Sequence, residues 1–139
     1  MHAVFSTKNR SAFLSCRELR AELHAYLGGI SRNLGCPILA VGGVEDHVHL
    51  LATMSRTITQ ADWIKELKRS SSVWLKPKLP EFAWQGGYGL FSVGASQIPS
   101  VKDYIANQEQ HHRQGSFQEE FLALLEAHGV EWDERYIWD

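Results

Sequence analysis

Two hydrophobic periods take turns along this chain, and each change of period marks an element. Positions 2–7 (His-Ala-Val-Phe-Ser-Thr) read as a strand that the polar Lys8-Asn9-Arg10 brings to an end. Ser15 with Glu18 has capping-box spacing, and behind it Leu19, Leu23, Tyr26, Leu27, Ile30 and Leu34 recur at helical intervals until Gly35 stops the helix. Gly28-Gly29 costs about 1 kcal/mol per glycine relative to alanine and weakens its last turn. Residues 38–44 and 48–54 are apolar runs separated by Glu45-Asp46, the pattern of an antiparallel strand pair. A second helix is predicted from near Thr59 to just before Pro77. Ile64, Leu67, Ser71 and Trp74 lie on one face and Lys65, Lys68, Arg69, Ser72 and Lys76 form a second stripe. Gly86-Gly87-Tyr88-Gly89 makes a turn into a short strand at 90–93; it is too short for a phosphate-binding loop and lacks the Lys-Ser/Thr that would follow.

Pro99 suits the first turn of a third helix running to about Arg113. Ser116 and Glu119 form another capping box, with Phe117, Phe121, Leu124 and Leu125 as the buried stripe and Gly129 as the stop. The order β-α-β-β-α-β followed by C-terminal helices predicts an α+β fold. It is the split βαβ, ferredoxin-like antiparallel sheet, in one domain over residues 1–139.

Composition narrows the class. With 44% hydrophobic and 22% charged residues in a chain of 139, a packed core is expected rather than disorder. No apolar run approaches the ~20 residues of a membrane span, and no stretch resembles a secretory signal. Cys16 and Cys36 have neither metal-ligand nor redox spacing, so reduced thiols in a cytoplasmic protein are expected. The net charge of −2 conceals an asymmetry. Residues 1–80 carry 11 Lys+Arg against 6 Asp+Glu, and residues 81–139 carry 3 against 10, charges of +5 and −7. A basic half is compatible with a polyanionic partner and equally with a solvated surface.

The chemistry concentrates at His47-Val48-His49. On a strand, side chains two apart share a face, so both imidazoles can reach one metal ion. Two histidines satisfied by neighbours or solvent fit the same spacing. Asp46 is either a partner for a ligand imidazole's second N–H or a turn carboxylate. A histidine-triad hydrolase is excluded, because its third histidine would fall at Leu51. Downstream, Tyr104 and Gln108 are one helical turn apart and project from one face, with His111 on the same stripe and His112 close by. A phenol of ordinary pKa, about 10, needs a base or a nearby cation to act as nucleophile. A metal held by His47 and His49, with the Gln108 amide oxygen as third ligand, would provide the cation for phosphodiester chemistry. Solvation of Gln108, His111 and His112 on an ordinary helix is the competing account.

His47-Val48-His49-Leu50-Leu51 with Tyr104-Ile105-Ala106-Asn107-Gln108 resembles the single-tyrosine HUH transposases of small bacterial insertion sequences, including the REP-associated tyrosine transposases. Val4-Phe5-Ser6-Thr7-Lys8, Trp84-Gln85-Gly86-Gly87-Tyr88-Gly89 and Tyr136-Ile137-Trp138-Asp139 extend the likeness over nearly the whole chain. Members of that family carry several more residues before the first strand. The resemblance implies an RRM-like sheet, a homodimer, Tyr104 as nucleophile, and His47, His49 and Gln108 as ligands for Mg²⁺ or Mn²⁺. It implies single-stranded DNA with hairpin structure as substrate, a 5′-phosphotyrosine intermediate and a second transesterification that rejoins strands. Whether the tyrosine serves its own chain or its partner is left open. Plasmid relaxases and rolling-circle initiators share the HUH element and are one alternative; a catalytically silent hairpin-binding module is another. Lys65, Lys68, Arg69 and Lys76, then Lys8 and Arg10, are the candidate DNA contacts. Trp63, Trp84, Tyr88 and Phe91 are candidates for base stacking or for the core.

Overall fold

The computed structural model describes residues 1–138. Four strands, β1 (His2–Ser6), β2 (Ile38–Gly43), β3 (His47–Ala52) and β4 (Gly89–Phe91), form one antiparallel sheet in the order β2-β3-β1-β4. Helices α1 (Arg17–Asn33) and α2 (Gln60–Leu75) connect them. Helices α3 (Ile98–Ala106), α4 (Gln108–His112) and α5 (Phe117–Ala127) follow the last strand. The ferredoxin-like arrangement read from the sequence is the one observed.

Strand alternation sorts the residues into two layers. Ala3, Phe5, Val48, Leu50 and Ala52 pack with Leu23 and Leu27 of α1 and with Trp63, Ile64 and Leu67 of α2. On the opposite face Val4 and Phe91 meet Phe117, Phe121 and Leu125 of α5. His2, Ser6, His47 and His49 share that second face by register. Every residue of β3 is buried. The histidine strand is therefore covered on both sides rather than half-solvated. Two indoles in the first layer find small acceptors: Trp63 Nε1 donates to Ser31 Oγ and Trp84 Nε1 to Ser71 Oγ, both at 2.9 Å. That removes the cost of burying an unpaired N–H.

Several boundaries differ from the pattern. The Ser15 capping box does not form; Cys16 stands at the N-cap of α1 without a side-chain bond. Helix α1 continues through Gly28-Gly29 to Asn33, because Leu23, Leu27 and Ser31 anchor its inner face, and Gly35 terminates it at φ +78°. Leu75 rather than Trp74 is the last buried residue of α2; Trp74 stacks on Tyr26 with ring centroids 4.9 Å apart. The expected single helix from Pro99 to Arg113 breaks at Asn107 (φ −103°, ψ 25°), where the Asn107 amide donates to the Asp103 carbonyl. The predicted Ser116 cap does form, and Gly129 (φ +66°) lies just beyond α5.

Helix α3 lies directly on β2 because Gly42, paired with His49 across the ladder, has no side chain. A Cβ on Gly42 would overlap the Ile105 carbonyl oxygen and come within 2.9 Å of Ile105 Cγ2. Arg20, only 8% exposed, ties the next helix down: it donates to the Leu14 carbonyl at 3.0 Å and to Glu109 of α4 at 2.7 Å. Gly42→Ala is expected to destabilise the fold by about 1–3 kcal/mol, the usual cost of overpacking. It should also shift α3 away from the sheet. A urea midpoint equal to that of the wild type would show that α3 can retreat without cost.

Candidate functional site

Helices α3, α4 and α5 bring their polar side chains down onto His47 and His49, and one carboxylate gathers them. Glu120 Oε1 lies 3.2 Å from His47 Nε2, 3.1 Å from His49 Nε2 and 3.1 Å from His112 Nε2. Its other oxygen, Oε2, accepts a hydrogen bond from the Tyr104 hydroxyl. Gln108 Oε1 is 3.2 Å from His47 Nε2. The Tyr104 ring stands edge-on to His49 at 5.6 Å between centroids and against His111 at 4.8 Å. His47, His49, Tyr104 and Gln108, singled out in the sequence, thus converge within one chain.

Each imidazole is oriented from behind. Asp46 Oδ1 accepts a hydrogen bond from His47 Nδ1–H at 2.7 Å, so that loss of the Nε2 proton would turn a lone pair toward the site. His49 Nδ1 lies 2.9 Å from His2 Nε2; while the neutral His49 donates Nε2–H to Glu120, Nδ1 accepts from His2, and the opposite tautomer would free Nε2 in the same sense. Two imidazole nitrogens, an amide oxygen and a carboxylate facing one another are a ligand set for a divalent cation. The His47, His49 and Glu120 donor atoms all lie within 4.8 Å of one another. The residues present fit a metal ion.

Burial dominates the proton equilibria. It pulls His49 down to about 4 and His2 down to about 3, with the neighbouring imidazole adding repulsion in the case of His2. His47 feels the same burial, but its bonds to Asp46 and Glu120 outweigh it and raise the ring to about 9. Burial would raise Glu120, yet hydrogen bonds from His112, His47 and His49 hold it far below the usual carboxylate range. Tyr104 is pushed up, first by burial and then by the Glu120 carboxylate. In this arrangement the phenol stays protonated and the imidazole cluster carries the proton that balances Glu120.

Glu120 was not legible as a site residue from motif spacing, but a signal existed. Residues 117, 120, 121, 124 and 125 share the inner face of α5, so Glu120 is a carboxylate set into an apolar stripe. His2 gave no comparable sign. Among the proposed DNA contacts, the Lys68 ammonium donates to the carbonyls of Gln85 (2.7 Å) and Gly87 (2.8 Å), and burial lowers it to about 8. Lys76 donates to the Phe82 carbonyl at 2.7 Å, and Arg69 pairs with Glu66 at 2.7 Å. Lys65 and Lys8 are exposed. Helix α2 lies across the sheet from the histidines, whereas Arg10 borders the same face as Val4 and Phe117. Of the aromatic candidates, Trp63, Trp84 and Phe91 are core, and Tyr88 is 42% exposed.

A family model described as IS200-like transposase matches residues 1–108. A protein of Deinococcus radiodurans R1 described as a transposase shares 25% identity and superposes with a TM-score of 0.62, over 77% of this chain and 88% of that one. A REP-associated tyrosine transposase, solved bound to a REP hairpin, shares the fold at 17% identity and a TM-score of 0.61, over 80% of this chain and 66% of that one. Among curated proteins, no sequence matches. With the family match spanning both histidines, the tyrosine and the glutamine, this chain belongs to the IS200-like transposases, enzymes of DNA strand cleavage and transfer.

Proposed function

We propose that this chain is a metal-dependent, single-stranded DNA transposase with Tyr104 as its nucleophile. The observation that carries the reading is the meeting of the Tyr104 hydroxyl with His47 and His49 on a single carboxylate, Glu120, inside one chain. A cleft of about 380 Å³ opens beside it, bordered by Tyr104, His111, His112 and Glu120, and receives the scissile phosphate. The Tyr104 oxygen bonds to phosphorus as the P–O3′ bond breaks, leaving a 5′-phosphotyrosine and a free 3′-hydroxyl. The phenolic proton is released to solvent at the open side of the cleft as the new bond forms, and the departing O3′ takes a proton from solvent. A 3′-hydroxyl from another strand end then attacks the phosphotyrosine and releases Tyr104, which completes the exchange.

His47, His49, Gln108 and Glu120 would hold the metal ion. Imidazole, amide and carboxylate donors together suit Mn²⁺ and admit Mg²⁺. When bound, such an ion offsets the Glu120 charge that keeps the phenol protonated and polarises the phosphate oxygens. His2 and Asp46 fix the imidazole orientations, while His111 buttresses the phenol ring. Hairpin DNA as substrate and a homodimer as the working form follow from the family likeness. Lys65 and Arg69, across the sheet from the cleft, would contact a duplex stem rather than the cleaved nucleotide, and Lys8 and Arg10 the strand nearer the site. Lys68 and Lys76 join them only by giving up their carbonyl partners.

A labelled single-stranded hairpin oligonucleotide incubated with the protein and Mn²⁺ should yield a covalent adduct on a denaturing gel. Tyr104→Phe and chelation should each abolish it, and His47→Ala or His49→Ala should reduce it by at least about a hundredfold, as for loss of a metal ligand. Hairpin binding without adduct across a panel including the flanking DNA would make the chain a silent binding module.

Metal binding should carry its own pH signature. His47, raised to about 9 without metal, must release its proton to offer Nε2. Below that pH, Mn²⁺ affinity should therefore climb about tenfold per pH unit and level off above it. Calorimetry in buffers of different ionisation enthalpy should report about one proton released at pH 7.5. A value near zero would refute a charged His47 in the metal-free chain, and unchanged Mn²⁺ affinity in Glu120→Ala would remove Glu120 from the ligand set.

A further inference from the structure

On the far side of Phe117 from the metal cradle lies a second cavity, of about 310 Å³. One face of the Phe117 ring packs on His47, 4.6 Å between centroids, and the ring also borders this space. Much of the remaining wall is aromatic: Tyr88 from the turn before β4, Phe121 from α5, and Trp132, Tyr136 and Trp138 from the C-terminal segment. Tyr88, Trp132 and Tyr136 are 42%, 38% and 62% exposed, so the rings are reachable from solvent.

The polar groups here are few and specific. Arg10 places its guanidinium over Trp138, 5.5 Å from the ring centroid. Its Nη1 is buried and, among the described residues, has no hydrogen-bond partner. Buried donors are nearly always paired, so this one asks for an acceptor that the described residues do not supply. The arginine sits in a turn where both Asn9 and Arg10 adopt φ 55°, a conformation costing roughly 1–2 kcal/mol for such residues. Gln85 links the walls, its amide donating to the Trp138 carbonyl at 2.5 Å and accepting from Asn9 N. Two carboxylates border the cavity: Glu131 is exposed, and Asp133 is paired with Arg135 at 2.8 Å.

We propose that this cavity binds one unpaired nucleobase of the strand whose scissile phosphate lies in the neighbouring cleft, with Arg10 on the adjoining phosphate. The inference rests on the reading of the chain as a single-stranded DNA enzyme. Flat aromatic walls stack any base. The unpaired Arg10 donor meets a phosphate oxygen. The Glu131 carboxylate accepts from an exocyclic amino group, which favours cytosine, adenine or guanine over thymine. With Phe117 shared between the two compartments, seating the base would fix the register of the strand against Tyr104.

The test uses the full chain carrying Tyr104→Phe, so that binding is read without cleavage. Fluorescence anisotropy compares a DNA hairpin with unpaired flanks, the same oligonucleotide with a single abasic residue stepped along each flank, and the bare hairpin. One abasic position is expected to weaken binding about tenfold, the scale of losing one stacked base. Trp138→Ala and Tyr136→Ala should each show a loss of that order on the intact flank and little further loss on the critical abasic oligonucleotide. Arg10→Gln should weaken binding to both oligonucleotides alike. If the tail variants bind intact flanks like the parent, or lose affinity equally with and without the base, the pocket is refuted. Adduct formation by the otherwise wild-type chain alongside that result would leave the nuclease reading standing. A flank-dependent loss in a chain that never forms an adduct would refute the nuclease reading alone.

Discussion

A carboxylate buried among imidazoles is the interaction on which the second layer of this protein depends. Glu120, on α5, receives three ring nitrogens and a phenol, and those partners come from β3, α3 and α4. An isolated buried anion costs far more than a folded domain can absorb. Here the cost is offset by the charge favoured on His47 and by hydrogen bonds to both oxygens, imidazole nitrogens at Oε1 and the Tyr104 hydroxyl at Oε2. The same contacts fix where three helices sit on the sheet. Removing the carboxylate would leave the histidines without their common acceptor and α5 without its polar anchor.

The same electrostatics set the protonation of the neighbouring groups. Burial and then the Glu120 carboxylate hold the Tyr104 phenol in its protonated form, and the bonds of His47 to Asp46 and Glu120 favour its charged ring. The groups that hold α3, α4 and α5 on the sheet are thus the same ones that carry the candidate chemistry.

Much of the architecture was legible because the hydrophobic period is strong where the core is strong. Thr59, Ser116, Gly35 and Gly129 mark boundaries the structure keeps, each through a local cap or a left-handed residue that acts over only a few positions. His47, His49, Tyr104 and Gln108 were legible as a set because their spacing matches a known chemistry. The break at Asn107 was not, since no glycine or proline announces it and tertiary contacts through Ile105 and Glu109 decide it. Glu120 and His2 escaped for a different reason. Their bonds to His49 span 71 and 47 residues of sequence, and pairings at that distance have no fixed spacing to read; for Glu120 only its place in an apolar stripe hinted at burial.

The seat of α3 on Gly42 has a further consequence. Helix position is set by backbone contact with β2 rather than by the stretch at 92–97 that tethers it to β4. A tether of that kind costs little to lengthen, since closure entropy grows only with the logarithm of its size. Insertions there would leave the tyrosine where it is, so this connection can vary in length while the distance from hydroxyl to imidazoles stays constant.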